Sequence, residues 1–128
     1  MKTIGIIAEY NPFHTGHAYQ ISQARKAAGE NSAVVCVMSG NWTQQANCAI
    51  ADKWTRARLA LMGGADLVLE LPVTAALSSA EGFASEGVRL LAPFCHELCF
   101  GAESADADAL MAVAKTLLSA DFSPALRS

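Results

Sequence analysis

The stretch Ile4-Gly5-Ile6-Ile7-Ala8-Glu9-Tyr10-Asn11-Pro12-Phe13-His14-Thr15-Gly16-His17 decides how the chain reads. An apolar run ends in a polar turn, and the turn carries two histidines with a glycine between them. Lys2 to Ala8 is short and rich in β-branched residues, as a buried strand is. Asn11-Pro12 stops it, because proline has no N–H to give a ladder. From Thr15 to Ala28 the pattern becomes helical, which sets His14 and His17 on one side of the first turn. A helix start offers unpaired N–H groups and the positive end of the dipole, so it favours phosphate. Gly16 has no side chain, and a flat base or ribose can approach its backbone closely. An H-x-x-H pair can also hold a metal, but a site needs a third or fourth ligand and only Glu9 lies near. Two solvated histidines without function are the plainest alternative. The strand before the pair and the glycine within it favour nucleotide binding.

Outward from this stretch, strand and helix alternate. Ala33 to Met38 is a second buried strand, continuously apolar as parallel strands usually are, and Ser39 to Gln45 follows as a loop. Asp52 caps a helix running to Met62, which Gly63-Gly64 ends. Leu67 to Leu71 is a third strand, stopped by Pro72. Ser78-Ser79-Ala80-Glu81 fits a capping box that opens a helix bounded by Pro93. Glu97 to Phe100 is a fourth strand. Leu110, Val113, Ala114, Leu117 and Leu118 form the apolar face of a last helix, predicted to fray near Asp121. The pattern predicts an α/β fold, a Rossmann-like parallel sheet with helices on both faces and right-handed crossovers. In such sheets ligands bind beyond the carboxyl ends of the strands, where strand order reverses. The polar clusters Asn11–His17, Ser39–Gln45, Glu70 and Gly101–Ser104 each follow a strand, which supports a site at that edge.

Composition bounds the function. The 128 residues fit one domain, 1–128, and 52% hydrophobic against 16% charged residues is a globular balance. Apolar runs are broken by Gly, Asp or Glu well short of a membrane span, so no membrane partner is expected. The N-terminus lacks the layout of a signal peptide. Cys36, Cys48, Cys95 and Cys99 match neither a zinc knuckle nor a redox pair, and are expected to be reduced, mostly buried thiols of a cytoplasmic protein. The net charge is −3, with nine Lys plus Arg against twelve Asp plus Glu. A protein that only held nucleic acid would show a basic face, and here only Lys53, Arg56 and Arg58 gather.

H-x-G-H after a first strand resembles the signature of the nucleotidyltransferase superfamily, whose members act at the α-phosphate of ATP and release pyrophosphate. Further blocks follow in order: Met38-Ser39-Gly40-Asn41, Ala49-Ile50-Ala51-Asp52-Lys53-Trp54-Thr55-Arg56-Ala57, Asp66-Leu67-Val68-Leu69-Glu70-Leu71-Pro72 and Phe100-Gly101-Ala102-Glu103. Together they look like the tRNA(Met) cytidine acetate ligases, from Lys2 to about Ser104. That resemblance implies activation of acetate with ATP as acetyl-adenylate, then acetylation of the wobble cytidine of elongator tRNA(Met). It makes Ile7, Ala8, Glu9, Tyr10, Asn11, Pro12, Phe13, His14, Thr15, Gly16, His17, Ala18, Tyr19 and Gln20 the nucleotide-binding stretch. Gly101 matches a glycine whose backbone lies against the nucleotide. His14 and His17 are the implied catalytic pair, stabilising charge at the α-phosphate as acetate attacks. Mg2+ is expected with the phosphates, with no carboxylate clearly its ligand.

Ser39, Asn41, Lys53 and Arg56 are candidate contacts to substrate or phosphate. Lys53 and Arg56 share a helix face and could reach acetate, phosphate or tRNA; the alternative is a solvated face with an Asp52–Arg56 pair. Trp42 and Trp54 are expected to pack in the core or at its rim. Glu70 is expected to be functional or to pair with a neighbouring cation. The family usually continues Gly40-Asn41 with aromatic-Val-Gln-Arg-Gly-Glu-Pro, whereas this chain has Trp42-Thr43-Gln44-Gln45-Ala46-Asn47-Cys48. Ala102 stands where a serine is common. Family members are several times longer, so the chain reads as the N-terminal portion, without the downstream asparagine and arginine of the nucleotide site or the region expected to hold tRNA. Two alternatives stay open: another nucleotidyltransferase, adenylylating a small phosphorylated metabolite, and a non-catalytic nucleotide-binding module.

Overall fold

The computed structural model describes residues 1–104, 106–120 and 122. Four parallel strands run β1 Lys2–Ala8, β2 Ser32–Ser39, β3 Leu67–Leu71 and β4 Glu97–Leu98, in the sheet order β3-β2-β1-β4. The register pairs Ile4 with Val34, Ile6 with Cys36 and Ala8 with Met38. These side chains share one face, where Ile21 and Ala24 of helix α1 (Thr15–Ala28) and Ala60 of α2 (Lys53–Met62) cover them. Val35 and Val37 point to the other face, against Ala75 and Ala76 of α3 (Val73–Ala76) and Leu91 of α4 (Ala80–Leu91). Period-two alternation with both faces apolar is what a doubly covered parallel sheet demands. Close approach of α4 needs small residues on both sides. A Cβ on Gly5 would lie 2.7 Å from Leu91 Cδ1, and one on Gly87 2.8 Å from Ile7 Cδ1.

The chain leaves β1 in one direction along the sheet, through β2 and β3, and returns to place β4 on β1's free side. Strand order therefore reverses between β1 and β4, and a crevice opens beyond their carboxyl ends.

Several expectations are adjusted. The fourth strand pairs over Glu97–Leu98 alone, although Cys99 N–H still reaches Gly5 O at 2.9 Å. Ser79, not Ser78, caps α4, accepting from Gly82 N–H, while Ser78 Oγ donates to Ala75 O. The short helix α3 lacks a sequence signal, being one turn hinged on Pro72. Trp54 is 76% exposed and Trp42 is also exposed, so neither packs in the core. Cys36 is buried, Cys95 and Cys99 half-buried, and Cys48 exposed. The last helix, α5 (Ala107–Leu117), buries none of its residues. The expected fraying at Asp121 lies outside the described residues.

Candidate functional site at the carboxyl edge of the sheet

The polar turn after β1 folds back on α1 through its two histidines. His14 is the N-cap, and its Nδ1 accepts from Gly16 N–H at 3.1 Å; His17 Nδ1 accepts from His14 N–H at 3.2 Å. This is a reciprocal capping box with imidazoles in place of the usual hydroxyl and carboxylate. The rings stack with centroids 3.6 Å apart. Because both Nδ1 atoms accept, the neutral rings carry their proton on Nε2, leaving each Nε2–H as the outward donor. The sequence pointed to backbone N–H groups as phosphate ligands. Gly16 N–H is instead spent on His14 Nδ1. Burial, and then the neighbouring His14, lower the His17 pKa below its ordinary value.

Beneath the pair, Tyr10 is fully buried at φ 51, a left-handed conformation that costs energy outside glycine. Its ring meets Phe13 and His17 edge-on at 5.0 and 4.8 Å, and its hydroxyl meets Cys36 Sγ at 3.2 Å. Burial drives the Tyr10 phenol far above its ordinary pKa and pushes the Cys36 thiol up to about 11, so both stay protonated.

Two adjoining clefts share His14, His17, Gln20, Phe100 and Gly101. A polar one of about 630 Å³ is lined by Ile7–Pro12 on one wall and by Thr43, Gln45 and Asn47 on the other. A more apolar one of about 700 Å³ runs past Gly16, Tyr19, Gln23 and Cys99 to Ala107 and Leu110 of α5. Of the expected nucleotide stretch, Phe13, Thr15 and Ala18 line neither. Phe13 instead fills the space over Gly63, where a Cβ would come within 2.3 Å of its ring. Gly101 faces open space.

Ser39, Asn41, Lys53 and Arg56 line neither cleft. Ser39 is wholly buried, its Oγ without a partner among the described residues. Asn41 Oδ1 accepts from Lys53 N–H at 2.8 Å, and Lys53 Nζ pairs with Glu70 at 2.6 Å, which accounts for Glu70. Arg56 is neither on a solvated face nor free to reach a ligand. It is fully buried, with no salt bridge to Asp52, and burial lowers its pKa against the pull of Glu9, Asp52 and Glu70.

Asn47 and Phe100 are not singled out as cleft residues by the sequence, and Thr43 and Gln45 only as members of the Ser39–Gln45 cluster after a strand; the fold turns them into cleft lining. The loop closes on itself through Thr43 N–H to Asn47 O and Ala46 N–H to Thr43 O, both 2.9 Å, and a bridge between Trp42 and Cys48. Ala46 sits at φ 58, where the resembling family has glycine.

The chain resembles known proteins along most of its length. The chain is 47% identical over 119 residues to the tRNA(Met) cytidine acetate ligase of Geobacillus sp. (strain WCH70), covering 92% of this chain and 29% of that protein. It is 48% identical over 120 residues to the ligase of the same name from Acetivibrio thermocellus, with the same coverage. Thermotoga maritima TmcAL, crystallised with alpha-thio ATP, superposes with a TM-score of 0.85 at 42% identity, over 91% of this chain and 29% of that one. The chain thus spans under a third of the length of the proteins it matches. The family model of the HIGH nucleotidyl transferases matches residues 1–126, and the chain belongs to that family.

Proposed function

We propose that the chain is an ATP-binding portion, residues 1–128, of a tRNA(Met) cytidine acetate ligase, working in the cytoplasm. The observation that carries the reading is the histidine capping box at the crevice between β1 and β4, with both rings lining both clefts. ATP lies along Ile7–Gln20 and Gly101, its phosphates near His14 and His17. An acetate oxygen attacks the α-phosphorus, the bond to the β-phosphate oxygen breaks, and pyrophosphate leaves. Acetyl then passes from the adenylate to the wobble cytidine, releasing AMP. The two Nε2–H donors, fixed in tautomer by their Nδ1 contacts, meet the charge that grows on the phosphate oxygens. Such preorganised donors help most where charge is largest, in the transition state.

Magnesium belongs to this proposal through the phosphates. Among the described residues no three His, Cys, Asp or Glu stand together, and Glu9, the carboxylate of the polar cleft, spends Oε1 on Gln44 N–H at 2.7 Å. These residues do not form a cage. They suit an ion held by phosphates and water, as magnesium commonly is. The polar wall of Thr43, Gln45 and Asn47 presents no cation to acetate, and the net charge of −3 does not favour tRNA on this part of the protein. No helix among the described residues is long and apolar enough to cross a membrane.

The test is an amide-shift titration with ATP, followed by pyrophosphate release with acetate or with phosphorylated metabolites as acceptor. Shifts concentrated at Ile7–Gln20 and Gly101, with acetate-dependent release in a length-complete protein, support the reading. Shifts confined to α5 refute the placement, and release driven only by a phosphorylated metabolite refutes the acceptor.

A further inference from the structure

Arg56 is the largest wholly buried side chain. A buried charge is costly unless it is paired or fully hydrogen-bonded. Among the described residues it forms no salt bridge. All of its bonds go to backbone carbonyls: Nε to Ala51 O at 3.1 Å, one terminal nitrogen to Glu9 O at 2.5 Å, and the other to Ser39 O at 3.0 Å and to Gly40 O. Glu9 follows β1, Ser39 ends β2 with Gly40 just after it, and Ala51 precedes α2. One planar fork therefore ties three pieces of backbone at the carboxyl edge of the sheet. A lysine ammonium, a single point with three donors, could not match that geometry.

Two further clasps join the same segments. Glu9 Oε1 accepts from Gln44 N–H, and Asn11 Oδ1 accepts from Ile50 N–H, both at 2.7 Å. The loops so joined carry the opposite walls of the polar cleft, whereas Arg56 itself does not line it. The carbonyls it engages also gather negative partial charge under a cleft proposed to take a triphosphate, and the guanidinium offsets it.

We propose that Arg56 is a positioning residue for the nucleotide reaction: its guanidinium sets the separation of loops 9–13 and 40–51, and so the width of the cleft between them. The proposal rests on the functional reading of that cleft, so its test has an arm that needs no nucleotide. In ligand-free Arg56→Met, hydrogen exchange at Gln44 and Ile50 rises about tenfold or more, the scale of a lost bond to a charged group. The ladder amides of Val35 and Val37 keep their rates. ATP affinity, read by the amide titration, falls about tenfold as the walls loosen. Unchanged exchange at Gln44 and Ile50 overturns the proposal. Equal acceleration at all four amides also overturns it, by making Arg56 a prop of the whole fold. Should Arg56→Met not fold, Arg56→Lys, which keeps the charge and loses the fork, gives the same readings. Loosened loops with undiminished ATP affinity overturn the positioning role. A wild-type chain that binds no ATP sinks the functional reading instead, and leaves the exchange result to be judged alone.

Discussion

At the amino ends of the strands Arg25 has a carboxylate partner, whereas at the carboxyl ends Arg56 has none among the described residues. Arg25 donates to Asp66 Oδ2 at 2.7 Å, to Gly64 O at 2.8 Å and to Ser32 O, and Asp66 Oδ2 also accepts from Val34 N–H at 2.7 Å. The starts of β2 and β3 are thus pinned by a neutralised pair. The same contrast runs through the backbone. Positive φ at the amino ends falls on Gly29 and Gly64, which adopt it freely; at the carboxyl ends it falls on Tyr10 and Ala46, which do not. Unbalanced charge and backbone strain collect at one end of one sheet, the end that carries the histidines. Strain of this kind persists only where the surroundings enforce it. One end of the sheet is built for stability, and the other accepts a stability cost for the shape of its clefts.

The largest expected effect lies at the strained end. In a length-complete protein, His17→Ala lowers turnover about 100- to 1000-fold, the scale for one preorganised donor, while ATP binding weakens far less. Steady-state kinetics check it: a raised KM with normal turnover would assign the histidine to ground-state binding. Losing the bond from His14 N–H and the contact with Tyr10 should also cost about 1 kcal/mol of stability, so it is the loss of turnover that separates this end from the other.

At the relaxed end the expectation inverts. Asp66→Asn lowers stability by about 1 kcal/mol, discounted because the pair is partly exposed, and leaves ATP affinity unchanged. Burial pushes the Asp66 carboxyl up, but Val34 N–H and Arg25 outweigh it and hold it below its ordinary value of 3.8. A depressed carboxylate stabilises the fold above that value and loses the contribution as pH falls through the folded pKa. Denaturant midpoints across that acidic window should show the loss in wild type and its absence in Asp66→Asn. A variant that loses ATP affinity instead would erase the distinction between the ends.

Relieving strain should gain somewhat less. Ala46→Gly removes the left-handed penalty and raises stability by about 0.5–1 kcal/mol, net of the freedom glycine adds to the unfolded chain. A lower thermal midpoint would mean that the loop is not strained at Ala46.

The smallest effect is a titration shift. His17 should titrate below its ordinary value of 6.5, because burial and then His14 disfavour its charged form. The fold then loses stability as pH falls from 6.5 towards the folded pKa, since the unfolded chain takes up the proton first. In His14→Ala the His17 midpoint, followed by ring-proton shifts, should move back up. No movement would leave burial as the sole cause.

The sequence by itself determined the parallel α/β alternation, the bounds of β1 and β3, the approximate extent of α1, and the histidine pair at a helix start beyond a strand. These rest on local signals: apolar runs, helical spacing, proline stops and capping residues act within a few positions of the chain. Only the tertiary structure decided the strand order β3-β2-β1-β4, and with it the crevice between β1 and β4. It alone buried Ser39 and Arg56, gave Lys53 to Glu70, exposed Trp54, and made Thr43, Gln45 and Asn47 a cleft wall. Arg56 shows why. On α2 it reads as a surface cation beside Asp52, but its decisive acceptors include Glu9, 47 positions earlier. Whether a charge meets water or a set of carbonyls depends on which strand ends converge around it, and no local pattern records that.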